Sequence, residues 1–196
     1  MSALLISGLI NIETTVRVDR FPIDYSPVRY PFWGVDSTVS GVGYNVAKAL
    51  TTLGDDVCLT SLVGRGLYAH VVREALRSDG IPSDYVLHLL AQTPQSAILY
   101  DETGRRQINV DLKDIQERAY PADRFTEALQ EADLAVLCNI NFSRAHLSAV
   151  REAGIPLATD VHAISDLDDG YNRDFMEAAD ILFMSDEQLP TAPEEW

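Results

Sequence analysis

Short apolar runs that alternate with segments of helical period constrain this chain more than any other feature. Leu4–Leu9, Val57–Val63, Leu134–Cys138, Leu157–Thr159 and Ile181–Met184 read as strands. Between them, Asn45–Leu53, Ala69–Ser78, Phe125–Ala132 and Phe175–Ala179 carry apolar residues at helical spacing, and Ser143 is placed to N-cap a further helix running to Ala153. Gly54, the pair Asp79-Gly80 and Gly154 follow three of these segments as stop signals. Nearly continuous apolar strands are those buried on both faces, and their alternation with helices defines an α/β fold with a doubly wound, mostly parallel sheet.

Two stretches break the alternation. Residues 13–40 are extended, with Pro22, Pro27 and Pro31 among β-formers such as Val16, Val18, Tyr30, Phe32 and Trp33. Residues 96–111 read as a hairpin: Ala97–Tyr100, the turn Asp101-Glu102-Thr103-Gly104, then Gln107–Val110, with Gly104 placed for a type I turn closed by a G1 bulge. A hairpin does not belong inside a parallel sheet. The two stretches, about 13–40 and 96–111, are expected to form a small antiparallel β lid inserted in a single domain spanning residues 1–196.

Composition removes several function classes. A net charge of −15 leaves no clustered basic surface for a phosphate backbone, so nucleic acid is not an expected partner. No apolar run approaches the roughly 20 residues of a membrane span, and the N-terminal run lacks the basic flank of a signal peptide. A cytoplasmic protein without a membrane partner is the expectation. Cys58 and Cys138 lie in apolar runs and are expected as buried, reduced thiols. His70, His88, His146 and His162 show no metal-ligand spacing, so no metal site is assigned.

In open α/β sheets ligands bind beyond the carboxyl ends of the strands. Those ends lead here to Asn11 and Glu13, to Gly64-Arg65-Gly66, to Asn139 and Asn141, to Asp160 and His162, and to Ser185-Asp186-Glu187. Carboxylates and amides of this kind suit a polyhydroxylated ligand; such residues also serve as ordinary caps and turns. The most informative segment is Ser40-Gly41-Val42-Gly43-Tyr44-Asn45-Val46-Ala47, whose glycines let backbone approach a ligand and lead into a helix. It is not a dinucleotide fingerprint: Val46 replaces the third glycine, the segment does not follow the first strand, and no acidic residue closes the next one. That disfavours an NAD-dependent oxidoreductase. No G-x-x-x-x-G-K-[ST] loop occurs either.

Gly8–Glu13, the extended stretch, and Ser40–Leu50 followed by Leu53-Gly54 resemble, in order, the N-terminal half of the ribokinase-like (PfkB-type) kinases of sugars and nucleosides. The resemblance implies that Glu13 holds substrate hydroxyls where an aspartate is usual, and that Asn11 touches the sugar. Gly41 and Asn45 match the family's Gly-Gly-x-x-x-Asn element, with Ser40 in place of the first, hinge glycine; Gly43 and Asn139 complete the implied acceptor set. The family's Gly-Asp-Asp-x-x-Gly is reduced here to Gly64. Its Asn-x-x-Glu, which helps order magnesium and phosphate, aligns on Ser185–Gln188, leaving Ser185, Asp186 and Glu187 as the implied cofactor-side residues. The implied cofactors are ATP and Mg2+, and the implied reaction is phosphorylation of a sugar or nucleoside hydroxyl.

The family's Asp-x-x-Gly-Ala-Gly-Asp segment, which supplies the anion hole and the catalytic base, does not occur in these residues. The resemblance therefore implies no catalytic residue here, and a truncated form or gene fragment lacking the C-terminal nucleotide-binding segment, with the strand Ile181–Met184 or its neighbour left with an unpaired or uncovered flank. A non-catalytic sugar-binding or regulatory relative is the alternative, which the altered segments at Gly64 and Ser185 favour. Two further expectations concern the lid. Its Arg17, Arg20, Arg29, Arg105 and Arg106 either discourage edge-strand aggregation or hold a phosphate already on the substrate, and its outer face, including some of Val16, Val18, Tyr30, Phe32 and Trp33, pairs with a second copy to make a homodimer, as in relatives.

Overall fold

A computed structural model describes residues 2–193 and residue 195. The main sheet has six strands, β1 (Ala3–Ser7), β4 (Asp56–Leu62), β5 (Val86–Leu87), β8 (Leu134–Leu137), β9 (Leu157–Ala163) and β10 (Ile181–Ser185), in the order β10-β9-β8-β1-β4-β5. Every pair is parallel. Alternate residues of β1 feed two cores. Leu5 joins Phe125, Leu137, Val150 and Phe175 on the side of α3 (Ala122–Leu129), α5 (Leu147–Glu152) and α6 (Arg173–Ala178). Ile6 joins Ala47, Leu59, Val72 and Leu76 on the side of α1 (Val42–Leu53) and α2 (Leu67–Ser78). Helices on both faces confirm the doubly wound architecture.

The stop signals act as expected. Gly54 closes α1 in the left-handed conformation (φ 97°), its N–H reaching the Leu50 and Thr51 carbonyls; Gly80 and Gly154 follow α2 and α5 at φ 71° and 69°. One expectation fails. Ser143 does not N-cap a long helix: it lies inside the four-residue α4 (Asn141–Arg144), and the chain breaks again before α5. Its hydroxyl is fully buried and is hydrogen-bonded to the Ser7 hydroxyl at 2.8 Å and the Ser7 carbonyl at 3.2 Å. A long-range partner in the core has overridden the local capping preference.

The lid is a second sheet, β2 (Asn11–Arg17), β3 (Val35–Ser40), β6 (Gln95–Tyr100) and β7 (Arg106–Asp111), in the order β3-β2-β6-β7. The hairpin forms as its turn predicts: Gly104 has φ 86°, the Gly104 N–H reaches the Asp101 carbonyl at 3.1 Å, and the Asp101 N–H reaches Arg105. Asp101 accepts from the Thr103 hydroxyl and backbone and from the Arg105 N–H, and these bonds, the hydroxyl's first, hold its carboxyl below the usual range. The sheet is mixed, however, and not purely antiparallel. β2 and β6 pair in parallel because both climb out of the same, carboxyl edge of the main sheet. Between β2 and β3 the chain is irregular from Val18 to Gly34, so Tyr30, Phe32 and Trp33 sit in a loop. The prolines there cannot donate to a ladder.

At one edge of the main sheet β10 leaves Ile181, Leu182 and Phe183 at 44%, 37% and 58% exposure, as an uncovered strand would. No helix among the described residues is long and apolar enough to cross a membrane. Both cysteines are free, Cys138 buried and Cys58 half-buried; burial, ahead of neighbouring aspartates, pushes the Cys58 thiol up to about 11 and the Cys138 thiol up to about 12. Neither is a nucleophile at neutral pH.

Candidate acceptor site

Two cavities of similar size lie at opposite ends of the sheet. One, of about 430 Å³, sits at the amino ends of β1 and β4 beneath α3. The other, of about 420 Å³, sits at the carboxyl ends under the lid, lined among others by Asn11, Glu13, Ser40, Gly41, Asn45, Ser96, Gln116, Asn139, His162 and Tyr171. The second is the candidate site, because ligands of open α/β sheets bind beyond the carboxyl ends of the strands, and lid strands line this cavity.

Strand register explains how the lid supplies its part. Asn11 pairs with Ser40, and Glu13 is level with Thr38 on one side and Ser96 on the other. With a side-chain period of two, Asn11, Glu13, Ser40 and Ser96 share one face, which is the cavity face. Ile12 and Val39, on the opposite face, are buried in the core with Ile6 and Tyr44. The lid is therefore anchored at its root by apolar packing, with its polar row turned toward the cavity.

The polar row has unused hydrogen-bonding capacity. Asn11 is 4% exposed and its Nδ2 donates to Ser96 Oγ at 3.0 Å, while its Oδ1, also buried, has no partner among the described residues. Buried polar atoms are nearly always paired, so an orphan facing a cavity marks a place for a ligand donor. Glu13 is only half-buried. Asn45 sits in the first turn of α1, its Nδ2 3.3 Å from Ser40 Oγ. Across the cavity Asn139 donates to Asn172 Oδ1 at 2.8 Å, and its carbonyl accepts from the Tyr171 hydroxyl at 3.0 Å.

The two glycines of the central segment do different things. Gly41 lines the cavity at φ 108°, and a Cβ there would stand 2.4 Å from the Leu9 carbonyl oxygen. Gly43 is buried away from the cavity, where a Cβ would stand 2.5 Å from the carbonyl carbon of Gly8. Its task is to let α1 touch the turn after β1. Gly64 is likewise structural: a Cβ would lie 2.2 Å from the Thr93 nitrogen, and its own N–H donates to Thr93 Oγ1. Arg65 reaches only the His88 carbonyl, at 3.3 Å.

Ser185, Asp186 and Glu187 are not brought to the cavity. Glu187 instead borders an open hollow at the hairpin tip with Thr103, Gly104, Arg105 and Arg106. Among the described residues no three His, Cys, Asp or Glu side chains converge as a metal site. The residues present thus do not by themselves fit magnesium. Asn141 is also structural, its N–H and Nδ2 both tied to Gln116 in the loop before α3.

Sequence reasoning did not find Ser96, Gln116, Tyr171 or the aliphatic wall formed by Ile98, Ile108 and Val110. Gln116 Nε2 donates to the Tyr171 hydroxyl at 3.0 Å, closing the far rim. The parity of the hairpin could have placed Ser96, Ile98, Ile108 and Val110 on one face; nothing local marks Gln116 or Tyr171. His162, near the carboxyl end of β9, lies on left-handed backbone (φ 59°), held by its N–H to Asp160 Oδ1 at 2.8 Å. Such strain in a non-glycine residue gathers at functional sites.

Helices on both faces of the main sheet, a lid sheet and a polar cavity at the lid's root define a lidded, doubly wound α/β fold. The family comparison makes this definite: residues 2–189 match the pfkB family carbohydrate kinase model, and the chain belongs to that family. No curated protein matches it significantly. Solved structures share the fold at low identity. A microbiome-derived acarbose kinase has a TM-score of 0.84 at 23% identity, covering 96% of this chain and 62% of its own. A Burkholderia thailandensis nucleoside kinase in complex with inosine has a TM-score of 0.76 at 17% identity, covering 99% and 66%. Arabidopsis thaliana ribokinase complexed with ribose and ATP has a TM-score of 0.70 at 19% identity, covering 94% and 60%. The chain thus spans about three-fifths to two-thirds of the length of these relatives.

Proposed function

We propose that the whole protein transfers a phosphoryl group from ATP to a hydroxyl of a sugar or nucleoside, and that these residues hold the acceptor. The unpartnered Asn11 Oδ1, buried at the cavity wall two residues from Glu13 on the same lid face, carries the reading. Two acceptor hydroxyls, one donating to Asn11 Oδ1 and one to the Glu13 carboxylate, would pair both groups, and Asn45 and Asn139 border the same space. Gly41 borders the same space on positive-φ backbone, where a Cβ would meet the Leu9 carbonyl. Family membership supports the reaction class. The non-catalytic alternative draws on the separation of Ser185, Asp186 and Glu187 from the cavity and on the packing role of Gly64.

Glu13→Ala should weaken acceptor binding by about 1.5–3 kcal/mol, the worth of hydrogen bonds to a charged group. Asn45→Ala should cost about 0.5–1.5 kcal/mol. Calorimetric titration of the two variants beside the parent measures both; unchanged affinity for every acceptor that the parent binds would remove these residues from the site.

A homodimer through the lid is part of the same proposal. Val18 is buried within the chain itself and Val16 half-buried, whereas Tyr30, Phe32 and Trp33 are exposed, Trp33 fully. An apolar cluster of this kind on a soluble surface suits a two-fold contact. Light scattering should show a dimer that Phe32→Ser with Trp33→Ser converts to monomer; a parent that stays monomeric at every concentration would contradict it.

A further inference from the structure

The cavity changes character along the lid. Its root is polar, with Asn11, Glu13 and Ser96, but one step outward the wall is aliphatic. Thr15 is level with Ile98, Ile98 pairs with Ile108, and Ser96 pairs with Val110. Ile98, Ile108 and Val110 therefore share the cavity face with Glu13, and all three line the cavity. Ile108 and Val110 remain 49% and 51% exposed, although both are branched apolar residues aimed into a hollow and not at a partner. Ile98 is one strand and two residues removed from Glu13, a separation of about 8 Å from strand spacing and rise. An acceptor that grips Glu13 with its hydroxyls would therefore carry whatever is attached to its ring across this wall.

The wall decides what that attachment can be. The three side chains offer no hydrogen-bond donor or acceptor, so a second sugar unit would lose water from its hydroxyls there without replacement. A phosphate fares no better, since no Lys or Arg among the described residues lines the cavity. The lid arginines are engaged elsewhere: Arg17 with the Phe32 carbonyl, Arg20 with Asp24, Arg29 with Asp19, and Arg105 over the Phe21 ring at 5.6 Å. Arg106 borders the separate hollow at the hairpin tip. A flat, weakly hydrated ring is the substituent that such a wall takes up, because it covers exposed aliphatic surface with its face and keeps its polar edge free.

We infer that the acceptor is a nucleoside, with its ribose hydroxyls at Asn11, Glu13 and Asn45 and its base against Ile98, Ile108 and Val110. The inference rests on the cavity being the acceptor site. It is tested by calorimetric titration of the 196-residue chain with adenosine, inosine, uridine and cytidine, beside ribose, fructose, ribose 5-phosphate and maltose, and repeated on Ile108→Ser. Ile108 is half-exposed on an edge strand, so the serine should be tolerated, and circular dichroism checks that it is.

At least one nucleoside should bind about tenfold or more tightly than ribose, and Ile108→Ser should weaken that nucleoside about fivefold while leaving ribose within about twofold. A free sugar, phosphosugar or disaccharide that binds as tightly as every nucleoside would overturn the inference and leave the acceptor site standing. So would nucleoside preference untouched by Ile108→Ser, since the base would then lie elsewhere. Folded protein that binds no compound of any class would overturn the acceptor site as well.

Discussion

Gly43→Ala is expected to destabilise the fold by about 3 kcal/mol, a large share of a domain's net stability. The added Cβ would meet three backbone atoms of Gly8 at 2.5, 2.7 and 2.8 Å, and none of them belongs to a side chain that can turn away. Cys138 crowds the same contact: a Cβ on Gly8 would meet Cys138 Sγ at 2.5 Å and Gly43 Cα at 2.8 Å, so the junction has no slack. Relief requires moving α1 off the turn after β1, which gives up the Tyr44 N–H to Leu9 carbonyl bond and opens the core around Ile6 and Ala47. Gly170→Ala is the control. Nothing lies within 4 Å of its Cβ position and its φ is not positive, so a change within about 0.5 kcal/mol is expected. Urea melts of both variants supply the comparison; a Gly43→Ala midpoint equal to the parent's would refute the contact.

The second large effect concerns catalysis. Residues 1–196 are expected to release no ADP above background, at least about a thousandfold below a form that carries the family's glycine-rich catalytic segment. General-base work needs a group within ~2.6–3.2 Å of the acceptor proton, and the resemblance assigns that base outside these residues. Stabilising charge on the transferred group needs preorganised donors at that position, and the resemblance assigns these to the same segment. Glu13, the carboxylate nearest the proposed acceptor, is cast as a hydroxyl acceptor and not as the base. A coupled ADP-release assay on residues 1–196, beside a longer form and across sugars and nucleosides, measures this. Comparable turnover by the two forms would place the machinery inside the present chain.

Much of this arrangement is legible in the sequence, for reasons that differ by element. The parallel strands are buried on both faces, so they stand out as apolar runs bounded by glycine stops such as Gly54 and Gly154. The hairpin turn is local chemistry, which Gly104 and Asp101 spell out over four residues. Ser143 shows where local reading ends: its best partner, Ser7, is 136 positions away, and no capping rule reaches that far. Gly43 and Gly64 look alike to a motif search that expects ligands near glycine, yet each answers to backbone packed against it from another segment. The parallel pairing of β2 with β6 and the rim made by Gln116 and Tyr171 depend on where distant loops return, and the sequence carries no local mark of either.

The cavity under the lid, and not its similar-sized counterpart at the amino ends of β1 and β4, is expected to receive the acceptor. Amide chemical-shift perturbation on titration with the tightest-binding sugar or nucleoside tests it directly. The largest shifts are predicted at Asn11, Glu13, Gly41, Asn45 and Ser96, with Cys58, Asp84 and Tyr85 unmoved. Shifts concentrated at Cys58, Asp84 and Tyr85, with the lid root silent, would contradict the account.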